Sequence, residues 1–439
     1  MSPLVSPQRR EEIIDSLRRG TVPHSGLDAF AVGLERFEPA IEQELAAAAQ
    51  GRGVFKAVRA EYGGGKTFFA RWLQEHAKRQ GFATSEVQVS ESDTPLHRLE
   101  AVYRRMIERL ETADSPRAAL RSALDAWFYT LEQEVLADGK LSEADTAAVV
   151  ARTNELMEQR VREVNARAPA FSAVLRAYRN AVLGENKALA DGLIAWLSGE
   201  PSVAADIKRA AGVRGEIDHL TALSFLQGLL VILRDAGYSG LIFVLDEVET
   251  LQRVRSDVRD KGLNALRQLM DEIDTGRFPG LYLLITGTGS FFEGPQGAQR
   301  LAPLAQRLHV DFATEARFDN PRAVQIRLAG FDLERLCDVG RKIRDIYAQG
   351  SANAARISQL ADDTYVEELA KAVTGHLGGK VGIAPRIFLK KLVGDILDRI
   401  DQFPDFSPRD HYGLTIAETE LNETERNLVA AASVDDIEL

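Results

Sequence analysis

The sequence predicts an α/β fold built on a parallel sheet. Two apolar runs, at 241–245 and 281–285, have the length of strands, and a continuous apolar run is typical of a strand buried on both faces. A further strand at 53–59 is expected to lead through a glycine-rich turn into a helix. Residues 115–211 show helical spacing throughout, so we expect a large helical insertion between the two parts of the sheet.

The glycine-rich turn has the composition of a phosphate-binding loop. Consecutive glycines let backbone N–H groups converge on an anion, and the positive end of the next helix adds to the attraction. In the pattern G-x-x-x-x-G-K-[ST], Lys66 would reach the β- and γ-phosphates of ATP and Thr67 would offer its hydroxyl to Mg²⁺. Ala60 replaces the first glycine, although alanine tolerates a positive φ poorly. A glycine-rich turn without a ligand is the alternative. The expected nucleotide-binding residues are Ala60, Glu61, Tyr62, Gly63, Gly64, Gly65, Lys66 and Thr67.

Two adjacent carboxylates follow the apolar run at 241–245. Asp246 and Glu247 fall where that strand ends, and ligands of open parallel sheets bind outside the carboxyl ends of the strands. We expect Asp246 to hold Mg²⁺ with its water shell, and Glu247 to orient and polarise the water that attacks the γ-phosphate. An exposed turn after a core strand is the alternative. Glu249 is expected only to favour the start of the next helix.

The second apolar run ends in a polar tip, Thr286-Gly287-Thr288. A polar residue beside the acidic pair would hold the attacking water or sense the γ-phosphate. Thr286 or Thr288 would serve, and a plain Thr-Gly turn is the alternative.

The remaining helices divide the chain into segments. Helices are expected at 11–20, 36–49, 67–80, 94–110, 217–236, 254–274, 333–348, 365–377 and 385–400, with further strands at 82–89 and 324–328. Arg386, at the start of the last helix, would face the nucleotide from a C-terminal lid. The turn at 31–35 either contacts adenine or only packs. The predicted segments are an N-terminal helical segment at 1–50, the ATPase core at 51–114 and 216–330, the insertion at 115–215, the lid at 331–402 and a mobile tail at 403–439.

Aromatic and basic residues outside the motifs allow two interpretations each. The aromatic residues of the insertion would form its own small core rather than platforms for nucleic-acid bases. They are Trp127, Phe128, Tyr129, Phe171, Tyr178 and Trp196. Basic side chains on one predicted helix would form a solvated face or contact DNA, and a lysine pair in the lid is a second candidate. They are Arg98, Arg104, Arg105 and Arg109, and Lys390 and Lys391.

Composition narrows the class of protein. The 439 residues carry a net charge of −11, which argues against indiscriminate coating of nucleic acid. The single cysteine, Cys337, excludes an internal disulfide and is expected to be a buried thiol in a reducing compartment. The first residues lack an apolar signal region and no run approaches a membrane span, so we expect a cytoplasmic protein without a membrane contact.

Several segments together resemble the BrxD family, the ATP-binding proteins of bacteriophage-exclusion (BREX) systems. The resemblance covers most of the chain, although the insertion contributes little. It implies an AAA+-like P-loop ATPase, related in layout to helicase-loading ATPases and encoded with a helicase and other anti-phage components. Ala60 and Gly289 stand where the family has glycine and proline. The residues that carry the resemblance are 20–23, 61–67, 245–249, 286–288, 291–292 and 385–386.

The resemblance implies a homo-oligomer whose ATP turnover is coupled to assembly on double-stranded DNA or to a partner helicase. Ring-forming relatives carry an arginine finger before the last core strand, which is where Arg307 lies. Arg300 is the nearby alternative, and an arginine on an exposed helix face is another. A nucleotide-gated scaffold that binds ATP with little turnover is the alternative function. A small-molecule kinase fits poorly, because no acceptor pocket is evident.

Overall fold

A parallel sheet forms the centre of the protein. The computed structural model describes residues 4–142, 144–376, 385–421 and 426. Within them, five strands pair in the order β2-β3-β4-β1-β5, and every pairing is parallel. The carboxyl ends of all strands therefore meet at one edge, and the predicted α/β class is confirmed. The strands are β1 Val54–Arg59, β2 Ala83–Gln88, β3 Leu241–Asp246, β4 Leu281–Gly287 and β5 Gln325–Arg327.

Helices cover both faces of this sheet. The α-helices, numbered along the chain, are α1 Pro7–Arg19, α2 Glu38–Ala49, α3 Lys66–Arg79, α4 Leu99–Glu108, α5 Leu120–Ala137, α6 Thr146–Arg160, α7 Arg162–Arg167, α8 Ala170–Leu183, α9 Lys187–Leu197, α10 Ala205–Ala210, α11 Ala222–Asp235, α12 Ser256–Asp274, α13 Gly289–Glu293, α14 Ala302–Leu308, α15 Leu333–Ala348, α16 Ala354–Leu360, α17 Asp363–His376, α18 Pro385–Lys390, α19 Asp398–Gln402 and α20 Pro408–His411. Short 3₁₀ turns lie at Leu27–Ala29, Val248–Gln252, Ala298–Arg300, Ala316–Phe318 and Glu418–Glu420, and Lys391–Leu397 is a π-helix.

The insertion between β2 and β3 packs onto one face of the sheet. Its described part, α5 to α10, is helical as expected. Its buried aromatic residues belong to the same apolar cluster as Leu241, Phe243 and Leu245 of β3. The prediction of a separate small core is therefore wrong, because the insertion and the sheet share one core. Tyr129 lies outside that core, with 64% of its surface exposed.

Helix α3 and the two ends of the described chain cover the opposite face. Ile242 and Val244 of β3 join a second apolar cluster with Ile13 of α1, Leu45 of α2 and Ile343 of α15. Cys337 is buried in this cluster, and its burial raises the pKa of the thiol. The N-terminal helices and the helices after β5 thus pack together against the sheet. The predicted segment boundaries, and the action of the C-terminal helices as a lid, stay predictions.

Local interactions explain where helices differ from the prediction. The helix expected from Thr94 begins only at Leu99. Pro95 disfavours the helical conformation of Thr94, whose hydroxyl donates to the carbonyl of Gln88, and residues 95–98 form a turn in which the Arg98 N–H donates to the carbonyl of Pro95. The middle of the helix expected at 385–400 is the π-helix.

The tail that was expected to be mobile from 403 packs on the C-terminal helices up to Leu421. The carbonyl of Phe406 accepts a hydrogen bond from Arg356 at 2.7 Å, and Leu421 is buried. The rest of that predicted tail, 422–425 and 427–439, lies outside the described residues.

Candidate nucleotide-binding site

The glycine-rich turn joins β1 to α3 at the carboxyl edge of the sheet. Gly63 and Gly65 have φ angles of +76° and +85°, which favour glycine. A Cβ at Gly64 would lie 2.9 Å from the Cβ of Ala60. Ala60 itself is not among the described residues with a positive φ, and its N–H donates to the carbonyl of Gly287 at 3.1 Å. Alanine therefore enters the turn without backbone strain.

Lys66, the first residue of α3, is buried, and its ammonium reaches the carbonyl of Glu61 at 3.5 Å. Its ammonium donates to the carbonyl of Ala60 at 3.0 Å, lies 3.4 Å from a carboxylate oxygen of Glu249 and stands 4.9 Å from the centre of the Tyr62 ring. Glu249 lies in the first 3₁₀ turn after β3, close to its predicted position, but it is buried beside Lys66. Sequence reasoning missed this contact, because no local pattern links the two motifs.

Asp246 connects the turn to the neighbouring strand β4. The Thr67 hydroxyl donates to Asp246 Oδ2 at 3.1 Å, and the Thr286 hydroxyl donates to Asp246 Oδ1. Burial raises the pKa of Asp246, and the hydrogen bond from Thr286 opposes that shift. A hydroxyl and a carboxylate side by side are the oxygen ligands that Mg²⁺ prefers, so the donor set fits this ion.

Glu247 adopts a left-handed backbone conformation directly after β3, with φ +59°. Such a conformation costs a non-glycine residue on the order of 1–3 kcal/mol and often accompanies function. Its N–H donates to the Thr286 hydroxyl at 3.2 Å, and its carboxylate accepts from Gln88 Nε2 at 2.7 Å. Sequence reasoning missed Gln88, although it ends the strand that pairs with β3 and stands in register with Asp246.

Of the two threonines at the tip of β4, Thr286 contacts the acidic pair. Thr288 shares a hydrogen bond with Ser290 at 2.9 Å and is 2% exposed. Its predicted catalytic role stays a prediction, whereas Thr286 lies between Asp246 and Glu247.

An open cavity of about 380 Å³ adjoins the turn. Glu247 and the turn form one wall, the N-terminal segment forms a second and the C-terminal helices form a third. The predicted adenine-contacting turn contributes Val32 and Leu34, and Arg386 lines the third wall while donating to the carbonyl of Glu420. Lys66 and Glu247 line the cavity at the turn, and Arg36, Arg335 and Arg386 line the other walls among apolar side chains. This mixture suits a ligand that has both an anionic part and an apolar part.

The two candidate arginine fingers lie outside the cavity. Arg307 on α14 pairs with Asp271 and Asp274 of α12, and Arg300 pairs with Asp260 on the same helix. Neither arginine lines the cavity, so neither joins the site of its own chain.

The candidate DNA contacts are largely ion-paired. Arg104 and Arg105 pair with Glu108 on their own helix, as the solvated-face interpretation expects. Lys391 is 6% exposed and pairs with Glu420. Lys391 is therefore not an exposed basic contact, whereas Lys390, which is partly exposed and shares Glu420 with it, stays a predicted DNA contact.

Comparison with known proteins identifies the family. No curated protein and no solved structure showed significant similarity to the chain. Among the described helices, none combines the length and the apolar character that a membrane span requires. One family model, described as BREX system ATP-binding protein BrxC/D, matches residues 5–416 and does not separate BrxC from BrxD. The chain therefore belongs to the BrxC/D family of BREX system ATP-binding proteins.

Proposed function

We propose that this protein is an AAA+-like ATPase of BREX anti-phage defence, which binds ATP with Mg²⁺ in the cavity beside the turn and hydrolyses it. The observation that carries the proposal is the chain of hydrogen bonds through Thr67, Asp246 and Thr286. It joins the phosphate-binding turn, the acidic strand and the tip of the strand between them. Glu247 lies at the same edge and lines the same cavity.

Each side chain then has a defined task. Lys66 supplies positive charge to the β- and γ-phosphates, and Glu247 orients and polarises the attacking water. Mg²⁺ would be held by Thr67 and Asp246, and it would neutralise charge on the phosphates. Arg386 would contact the nucleotide from the C-terminal helices, which thereby act as a lid.

The wider role rests on the family. BREX components act against phage, so we propose a cytoplasmic homo-oligomer whose nucleotide state controls assembly on double-stranded DNA or the action of a partner helicase. Arg307 would act at the site of a neighbouring subunit, as the arginine finger of ring-forming ATPases does. It does not line the cavity of its own chain.

Phosphate release, measured with and without duplex DNA, tests the proposal. Glu247→Gln should keep ATP affinity and lower turnover by about two orders of magnitude or more, because an amide fills the same space without polarising water. Glu91→Gln, an exposed carboxylate after β2, is the matched control and should change neither quantity. Equal loss of binding and turnover in Glu247→Gln would make Glu247 a structural residue.

A nucleotide-gated scaffold is the second candidate. The hydrogen bond from Gln88 to Glu247 favours it, because that bond engages one oxygen of the carboxylate that would polarise water. Tight ATP binding without measurable phosphate release, with or without DNA, would support the scaffold over the ATPase.

A further inference from the structure

The Lys66 ammonium already has an anionic partner inside the protein. Lys66 and Glu249 are 8% and 4% exposed, and their charged groups lie 3.4 Å apart. Attraction between opposite charges strengthens as water is excluded, so removing one partner of this pair costs more than removing one partner of a surface ion pair. Tyr62 closes the other side, and its hydroxyl accepts a hydrogen bond from Arg253 at 3.2 Å.

Glu249 depends on Lys66 in return. Neither oxygen of its carboxylate accepts a hydrogen bond from any described residue. Burial raises the pKa of the Glu249 carboxyl and Lys66 opposes this shift, while the nearby carboxylates of Glu247 and Asp246 add smaller contributions that raise the pKa. Lys66 is therefore the group that compensates a buried charge at this position.

We propose that Glu249 is a positioning residue that competes with nucleotide phosphates for Lys66. The inference rests on the proposed function, since it assumes that phosphates bind at this turn. Lys66 can bind a phosphate only to the extent that its ion pair with Glu249 breaks. In addition, the Glu249 carboxylate repels the phosphates directly. Both effects act in the same direction, so Glu249 weakens nucleotide binding and sets its affinity.

The contact between Lys66 and Glu249 affects how the Lys66→Ala variant is interpreted. Lys66→Ala would remove a phosphate ligand and would also leave the Glu249 carboxylate buried without a counter-charge, which is strongly destabilising. Loss of ATP turnover in that variant alone would therefore not distinguish a lost ligand from a damaged fold.

Thermal unfolding in the absence of nucleotide tests whether the Glu249 carboxylate depends on Lys66 as its counter-charge. Lys66→Ala should lower the unfolding midpoint at neutral pH by about 5 °C or more, and adding Glu249→Gln should restore most of that loss. Glu249→Met, uncharged and similar in length, provides a second route if the amide is poorly accommodated. A Lys66→Ala midpoint equal to that of the unsubstituted protein, or no recovery in both double variants, would overturn the inference.

Equilibrium binding of a fluorescent ATP analogue with Mg²⁺ tests the competition. Glu249→Gln should bind the analogue at least about fivefold more tightly, within the range typical of coupled sites, whereas Glu91→Gln should be unchanged. A merely structural role of Glu249 predicts equal or weaker binding, and either result would overturn the competition. No binding by the unsubstituted protein would instead overturn the proposed function, while the thermal experiment would still report on the ion pair.

Discussion

The two faces of the sheet are built from different parts of the chain. One face carries the insertion and the helices α11, α12 and α14, and its apolar cluster draws on residues between 57 and 308. The other face is covered by α3, which follows the phosphate-binding turn, and by the two ends of the described chain, from Val5 to Leu421. The cavity opens on this second face, between the N-terminal segment, the phosphate-binding turn and the C-terminal helices.

The packing of the two faces also differs. On the insertion face, Phe225 contacts Phe171 and Trp196 at ring distances of 5.0 and 5.7 Å, and a Cβ at Gly228 would collide with Phe171. That face is closely packed from helix to sheet. On the cavity face, the two chain ends leave an open space beside Lys66. We infer that substitutions on the insertion face change stability, whereas those on the cavity face change nucleotide binding as well.

The largest expected exception to this division is Arg307, which lies on the insertion face. If the protein forms a ring, Arg307→Ala should bind ATP normally and hydrolyse it roughly 10³-fold more slowly, because a finger from a neighbour stabilises the charge that develops on the γ-phosphate. Phosphate release and analogue binding measure the two quantities. Arg267→Ala is the matched control, since Arg267 is paired with the same Asp271 of α12 and is not a candidate finger.

Mixing variants separates a finger from a loss of stability. Arg307→Ala mixed with Glu247→Gln should recover part of the turnover, because some interfaces then combine an intact Glu247 with an intact Arg307. Turnover that is unaffected by Arg307→Ala, and independent of protein concentration, would rule out the finger and leave the division between the faces intact.

Two buried phenylalanines, one on each face of the sheet, test whether only the cavity face affects nucleotide binding. Phe171→Ala on the insertion face and Phe37→Ala on the cavity face each remove a buried ring and should each lower the free energy of unfolding by about 3–4 kcal/mol. Only Phe37→Ala should also weaken binding of the ATP analogue, because Phe37 lines the cavity. Urea unfolding and analogue titration give both quantities, with exposed Tyr129→Ala as the control. Equal effects on binding would contradict the division.

Sequence reasoning succeeded where a local pattern carries the physics. The runs that became β3 and β4 are buried along their whole lengths, so their apolar character alone indicated central strands. Local composition likewise indicated the glycine-rich turn before Lys66 and the carboxylates at the end of β3, whose roles in nucleotide binding stay predictions. Their hydrogen-bonded contact through Thr67 follows from parallel strands that end at one edge.

The remaining features depend on contacts between distant segments. The burial of Glu249 is intelligible only beside Lys66, and the shared core of the insertion only once its helices pack on β3. Helical spacing shows that a helix has an apolar face but does not show which surface covers that face. The same limit applies to Lys391, whose partner Glu420 comes from the expected tail.

The smallest expected effect concerns Gln88, which reaches Glu247 from the neighbouring strand β2. Its amide holds the carboxylate at 2.7 Å, and a net hydrogen bond is worth about 0.5–1.5 kcal/mol. If this bond restrains the carboxylate away from the attacking water, Gln88→Leu should raise ATP turnover about two- to tenfold without changing affinity. Gln88 is exposed, so stability should hardly change. Gln80→Leu, at the far end of α3, is the control in steady-state phosphate release. A fall in turnover would show instead that Gln88 positions Glu247 for the water, and would make β2 part of the catalytic arrangement.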